Sequence, residues 1–129
     1  MKPILKLILI LVGVALATTL ISLVLAKTFS SQSKADNREI MFYGDTCPHC
    51  IKVEEFVAQN QIEQKFSFEK LEVFNNKDNA SKMVEYAYKC GLSGNAALGV
   101  PLFWDGSSGK CYQGDVDIIN LLKTKAQIN

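Results

Sequence analysis

EIMFYGDTCPHCIKVEEFVAQ, residues 39–59, is the stretch that decides the fold. Its first five residues form a short apolar run that stops at Gly44, the pattern of a buried strand. Pro48 then opens a helix to about Gln59. Proline suits the first helical position, and Val53, Phe56 and Val57 recur at i, i+3 and i+4. Between strand and helix sits Cys47-Pro48-His49-Cys50.

Downstream, Phe66–Phe74 has strand composition, with Phe66 and Phe68 alternating. After the Asn75-Asn76 turn, Asp78 or Asn79 is expected to cap a helix carrying Ala80, Met83, Val84 and Ala87 on one face. Gly91–Gly99 reads as a small-residue loop. Leu102–Trp104 and Lys110–Tyr112 flank Asp105-Gly106-Ser107-Ser108-Gly109, a hairpin signal. Asp115 is expected to cap a last helix whose Ile118, Leu121 and Leu122 face inward. The order is β-α-β-α-β-β-α, an α/β domain with a mixed four-stranded sheet. Strands joined through a helix run parallel, and the last two pair as a hairpin. Trp104 is read as a packing residue, with a substrate groove as the alternative.

Upstream, Leu7–Ala26 reads LILILVGVALATTLISLVLA, 20 residues without a charge. About 20 apolar residues cross the roughly 30 Å hydrocarbon layer of a bilayer, and signal-peptide cores are shorter, about 7–15 residues. Residues 1–26 are therefore read as an N-terminal transmembrane helix acting as a signal anchor. A cleaved signal peptide is the alternative, since Ala15-Leu16-Ala17 and Val24-Leu25-Ala26 resemble cleavage sites. Residues 27–38 (KTFSSQSKADN and Arg38) form a polar linker, and residues 39–129 form the globular domain. Lys2 and Lys6 are nearly balanced by Lys27, Lys34 and Arg38, so basic residues alone do not orient the segment.

With 129 residues, 48% hydrophobic and 21% charged, the chain has room for one domain and is too apolar for a disordered one. From Lys27 onward, 12 basic residues face 13 acidic ones. Such a balance offers no basic surface for nucleic acid.

The chemistry lies at Cys47 and Cys50. The first sulfur falls at a helix amino terminus, where unpaired N–H groups and a partial positive charge favour a thiolate. First cysteines of such pairs have pKa values of about 3.5 to 7, against about 8.5 for a free thiol. His49, between the two cysteines in sequence, adds a second partial charge. Stabilising the thiolate stabilises the reduced form and makes the disulfide a stronger oxidant. Cys47 is thus read as the exposed nucleophile and Cys50 as the more buried resolving thiol, with Pro48 and His49 tuning them. No metal is expected, because Cys90 and Cys111 stand far apart and lack zinc-module spacing. A purely structural bridge is a poor use of so small a ring.

A strand, Cys-Pro-His-Cys at a helix start, and Gly99-Val100-Pro101 before a hairpin resemble the thioredoxin-fold thiol–disulfide oxidoreductases over roughly Glu39 to Lys125. Cys-Pro-His-Cys matches the active-site dipeptide of DsbA-type oxidases. The compact size, and Gly-Val-Pro before a hairpin, Gly114 and a helix, are closer to glutaredoxins. The resemblance implies a thioredoxin-like fold in which Pro101 is a cis proline facing the active-site pair and Val100 offers backbone hydrogen bonds to a substrate chain. An ordinary trans proline starting an edge strand is the alternative. The chain departs from these families at Thr46, where thioredoxins carry Trp, and at Gln113-Gly114-Asp115-Val116-Asp117, which keeps one glycine of the glutathione-holding element. Dependence on glutathione is accordingly doubtful. It is also too short for the inserted helical domain of DsbA proteins.

Cys90 and Cys111 remain. The hairpin should bring Cys111 back beside Leu102 or Phe103, within reach of Cys90 at the end of the second helix. The pair is read as a structural disulfide, with a redox relay or two free thiols as alternatives. Four cysteines behind an export-type segment fit an oxidising compartment, which places the amino terminus in the cytoplasm and the domain outside. The expected function is disulfide exchange with extracytoplasmic protein thiols, without a cofactor and with a redox partner protein. The competing readings are a non-catalytic interaction module and a metal or iron–sulfur carrier.

Overall fold

The computed structural model describes residues 2–29 and 36–128. Two units make up the chain. The first is helix α1, Lys2–Phe29. Its 21-residue stretch Lys2–Ser22 is long and apolar enough to cross a bilayer, at about 1.5 Å per residue. Isoleucine, leucine and valine side chains cover the stretch all round and are exposed. The Thr18, Thr19 and Ser22 hydroxyls donate back to the carbonyls of Ala15, Leu16 and Thr18, so these three polar groups are met within the helix. The linker expected over 27–38 lies in part outside the described residues.

The second unit has strands β1 (Glu39–Tyr43), β2 (Glu69–Glu72), β3 (Leu102–Asp105) and β4 (Lys110–Gln113), with helices α2 (Pro48–Gln59), α3 (Ile62–Lys65), α4 (Lys77–Lys89) and α5 (Asp115–Lys125). The sheet order is β2-β1-β3-β4. β1 runs parallel to β2 and antiparallel to β3, and β3 and β4 form the hairpin. This is the mixed four-stranded, thioredoxin-like arrangement. β1 is apolar throughout because it is central and covered on both faces. Ile40 and Phe42 join Met83, Tyr86 and Ala87 of α4, with Leu102 and Trp104. Met41 turns the other way, to Val53 and Val57 of α2, Phe103, and Ile118, Leu121 and Leu122 of α5. Trp104 is a packing residue: it lies against Tyr86 and donates its indole N–H to the Asp36 carbonyl at 3.3 Å.

Several elements differ from expectation. Only Glu69–Glu72 of the 66–74 segment pairs as a strand. Phe66 and Phe68 instead stack with each other (5.9 Å between centroids) and close over Phe103 (6.4 and 5.6 Å). The short helix α3 follows Gln61, which takes a left-handed conformation at φ 52°. The cap of α4 is Asn76 rather than Asp78 or Asn79; its side-chain oxygen accepts from the N–H groups of both, at 3.1 Å. A single 3₁₀ segment, Gly94–Leu98, occupies the small-residue loop. Cys111 sits opposite Trp104, not Leu102 or Phe103, because pairing across the hairpin starts at Asp105 and Lys110. Its sulfur is bonded to that of Cys90, which ties the end of α4 to the outer strand. Gly114, at φ 82°, caps α5, and Asp115 is the first helical residue.

At the start of β1, Lys125 Nζ lies 2.8 Å from Asp105 and 3.3 Å from Glu39. Burial opposes ionisation of Asp105, but the bonds from Lys125, Ser107 and Ser108 outweigh it and hold the carboxyl below its usual range. Burial, with Asp105 beside it, pushes the Glu39 carboxyl up. Replacing Lys125 by Met leaves both carboxylates without their cation and should cost about 2 kcal/mol at neutral pH. That is less than for a fully enclosed pair, because Lys125 keeps some contact with solvent. Asp105 ionises at lower pH folded than unfolded, so its contribution is present above the ordinary carboxylate range and lost below it. Urea titrations should therefore show the gap between wild type and Lys125→Met narrowing as pH falls from about 7 towards 3.

Candidate active site

β1 ends at Tyr43, and the chain turns through Gly44–Thr46 before entering α2. The Cys47 N–H donates to the Gly44 carbonyl at 3.1 Å, which closes this turn. Cys47 is the N-cap of α2, extended at φ −80° and ψ 119°, and Pro48 occupies the first turn. The backbone places Cys47 Sγ where a capping oxygen would otherwise sit. It accepts the Cys50 N–H at 3.4 Å, one of the amides a helix start leaves unpaired.

Cys50 lies one turn on and faces inward. It is 1% exposed, against 9% for Cys47. Neither is disulfide-bonded here. Cys47 was expected to be exposed; the order of the two holds, but the opening is narrow because the Val100 segment lies over it. Burial pushes the Cys50 thiol up to about 12, and the neighbouring Cys47 adds to the shift. The Gly44 N–H, 3.5 Å from Cys50 Sγ, works the other way without offsetting them.

The Val100–Pro101 peptide bond is cis. The Val100 carbonyl faces Cys47, whose thiol donates to it at 3.6 Å. The next carbonyl, of Pro101, accepts the Gly114 N–H at 3.1 Å and so fixes the start of α5 beside the site. The structure thereby gathers Cys47, Pro48, His49, Cys50, Val100 and Pro101 in one place. Cys90 and Cys111 are engaged with each other instead. Among the described residues, no three His, Cys, Asp or Glu side chains converge as a metal-ligand set.

One participant had no signal in the sequence. Asp115, read as a helix cap, turns its carboxylate to α2. His49 Nδ1 lies 2.9 Å from one oxygen and Lys52 Nζ 3.1 Å from the other. Bonds from Lys52 and His49 hold the Asp115 carboxyl down at about 2. His49 and Asp115 are 66 residues apart; the packing of α2 on α5 and the Pro101–Gly114 bond set them face to face.

The chain is similar in structure to oxidized glutaredoxin 2 from Chlamydomonas reinhardtii, at 21% sequence identity, a TM-score of 0.47, and coverage of 74% of this chain and 87% of that one. No family model matches the chain, and no curated protein matches it.

The two sulfurs should separate under alkylation. In the reduced protein at about pH 8, iodoacetamide should modify Cys47 well before Cys50, as read by peptide mass spectrometry. In Cys47→Ser, Cys50 should still resist the reagent up to strongly alkaline pH, because burial, the larger cause of its shift, is untouched. Equal labelling rates would contradict the assignment of the two positions.

Proposed function

We propose that this protein is a membrane-anchored thiol–disulfide oxidoreductase that exchanges disulfides with extracytoplasmic protein substrates through Cys47 and Cys50. The observation that carries the reading is the capping geometry: Cys47 Sγ faces the Cys50 N–H at a helix start, with the Cys50 thiol enclosed one turn away. Negative charge developing on the Cys47 sulfur meets an amide and the positive end of α2. The partner sulfur is close by and shielded from competing reagents.

In the reducing direction, the Cys47 thiolate attacks a substrate disulfide. One substrate sulfur leaves as thiolate while the other forms a mixed disulfide with Cys47. Cys50 then attacks Cys47 Sγ. Its proton, held until this step by burial, leaves as the new bond forms, and the second substrate thiolate departs and is protonated. Two electrons have passed to the substrate, and the Cys47–Cys50 disulfide remains. In the oxidising direction the same steps run backwards from a substrate dithiol. The Pro48-His49 dipeptide leans towards oxidation or isomerisation by its resemblance to DsbA-type enzymes.

Val100 and Pro101 form the other wall. The Val100 backbone would hold a substrate chain in extended form across Cys47, in the place where its carbonyl now meets the thiol. Glutathione fits less well, since Gln113–Asp117 keeps only one glycine of the element that holds glutathione in glutaredoxins. The dithiol carries the electrons itself, so no cofactor is invoked, and a redox partner protein returns it to its working state. Helix α1 supplies the anchor. The Cys90–Cys111 pair, 21 residues apart in sequence, favours an oxidising compartment. As a structural bridge it adds about 3 kcal/mol in the chain-entropy picture.

Turnover of a protein disulfide such as that of insulin tests the reading. Cys47→Ser should reduce exchange to background. Cys50→Ser should keep the first attack and accumulate mixed disulfide, visible as a mass adduct on Cys47. Equal exchange by wild type and Cys47→Ser would leave a binding module in place of an enzyme.

A further inference from the structure

We propose that Asp115 is a positioning residue that lowers the reduction potential of the Cys47–Cys50 pair by drawing His49 and Lys52 away from the Cys47 sulfur. This rests on the exchange reading above and adds a regulator of its direction. His49 and Lys52 both stand in the first turns of α2, the helix whose amino end faces Cys47. Left to themselves, they are the groups able to bring positive charge to that sulfur. Both instead turn to one carboxylate, with His49 Nδ1 on Oδ1 at 2.9 Å and Lys52 Nζ on Oδ2 at 3.1 Å, so that each oxygen is taken.

The carboxylate has little freedom to move aside. Asp115 follows Gly114, whose N–H is bonded to the Pro101 carbonyl, and it opens α5, whose Ile118, Leu121 and Leu122 are locked in the core. The backbone that presents Val100 to Cys47 therefore also sets the position of the carboxylate. Asp117, in the same first turn, forms no ion pair with His49 or Lys52 and provides an internal comparison.

The electrostatic argument follows from the half-reaction. The disulfide takes up two electrons; one sulfur ends as the Cys50 thiol with one proton, and the other, Cys47, carries negative charge or a second proton. Charge on Cys47 exists only in the reduced form, so whatever stabilises it favours reduction of the pair. A fixed carboxylate that engages the Lys52 ammonium and the His49 ring, both in the first turns of α2, disfavours it. Asp115 thus holds back the oxidising power that a Pro-His dipeptide would otherwise confer.

The test uses the full chain in detergent micelles, equilibrated against dithiothreitol redox buffers and quenched with a thiol-specific mass tag. Asp115→Asn should shift the pair towards the dithiol by about tenfold, a rise in potential of about 30 mV. Asp117→Asn, with the same change in net charge, should stay within about twofold of wild type. His49→Gln should shrink the shift produced by Asp115→Asn, since part of the effect passes through the imidazole. A dithiol–disulfide equilibrium constant for Asp115→Asn within twofold of wild type, or a shift towards the disulfide, would overturn the inference, as would an equal shift from Asp117→Asn. If wild type forms no Cys47–Cys50 disulfide at any buffer ratio, the exchange reading itself fails. A working exchange with a potential indifferent to position 115 removes this inference alone.

Discussion

The unpaired amide at the start of a helix is the constraint around which this molecule is arranged. An α-helix cannot satisfy its first N–H groups internally, and something outside the helix must meet them. Here the acceptor for the Cys50 amide is the sulfur of Cys47. A sulfur is a weak acceptor when neutral and a far better one when charged, so a structural need of α2 is met best by the reactive form of the side chain. Pro48 removes one donor from the same turn, which leaves fewer amides for other groups to satisfy.

The rest of the globular unit holds that helix start still. β1 delivers the chain to it from the centre of the sheet, buried on both faces. α2 is pinned from below by Val53 and Val57. From the opposite side, β3 is registered antiparallel to β1, with Leu102 beside Phe42, so Pro101 and Val100 emerge level with the turn that carries Cys47. The cis bond turns the Val100 carbonyl to the sulfur, and the Pro101 carbonyl is free to bond Gly114. Three segments distant in sequence thus meet through one sheet register. A slip of one residue between β1 and β3 would turn Phe42 and Leu102 to the wrong faces, so the buried pattern that stabilises the core also protects the site.

Local signals made most of this legible in the sequence. The apolar run 39–43, Pro48 and the i, i+3, i+4 spacing of α2 are each decided within a turn or two of chain. They placed the cysteine pair at a strand-to-helix junction. The hairpin around Gly106 was equally local. What escaped was decided mostly by partners far away, the cap of α4 excepted. Phe66 and Phe68 look like strand residues, yet pack as rings over Phe103 of a different strand. Asn76 outcompetes Asp78 and Asn79 as a cap because its side chain reaches both of their amides. Asp115 has the composition of a helix cap, and nothing near it in sequence names His49 or Lys52. Long-range electrostatic pairs leave no periodicity to read, whereas packing does.

The position of the chain's entry bears on what the site can reach. Asp36 and Arg38 lie against the globular unit at the start of β1: the Tyr86 hydroxyl donates to Asp36, Arg38 bonds Tyr86, and the indole of Trp104 holds the Asp36 carbonyl. Gly106 leaves room for this backbone, since an added Cβ would collide with it. The Cys47 turn lies beyond the other end of β1, about 17 Å away at about 3.3 Å for each of its five residues. Entry and site therefore occupy opposite ends of one rigid central strand. At the entry end the backbone is held by these hydrogen bonds, with the Lys125 cluster beside them. In the exchange reading proposed above, a partner that approaches Cys47 does not compete with Asp36–Arg38 for the same end of β1.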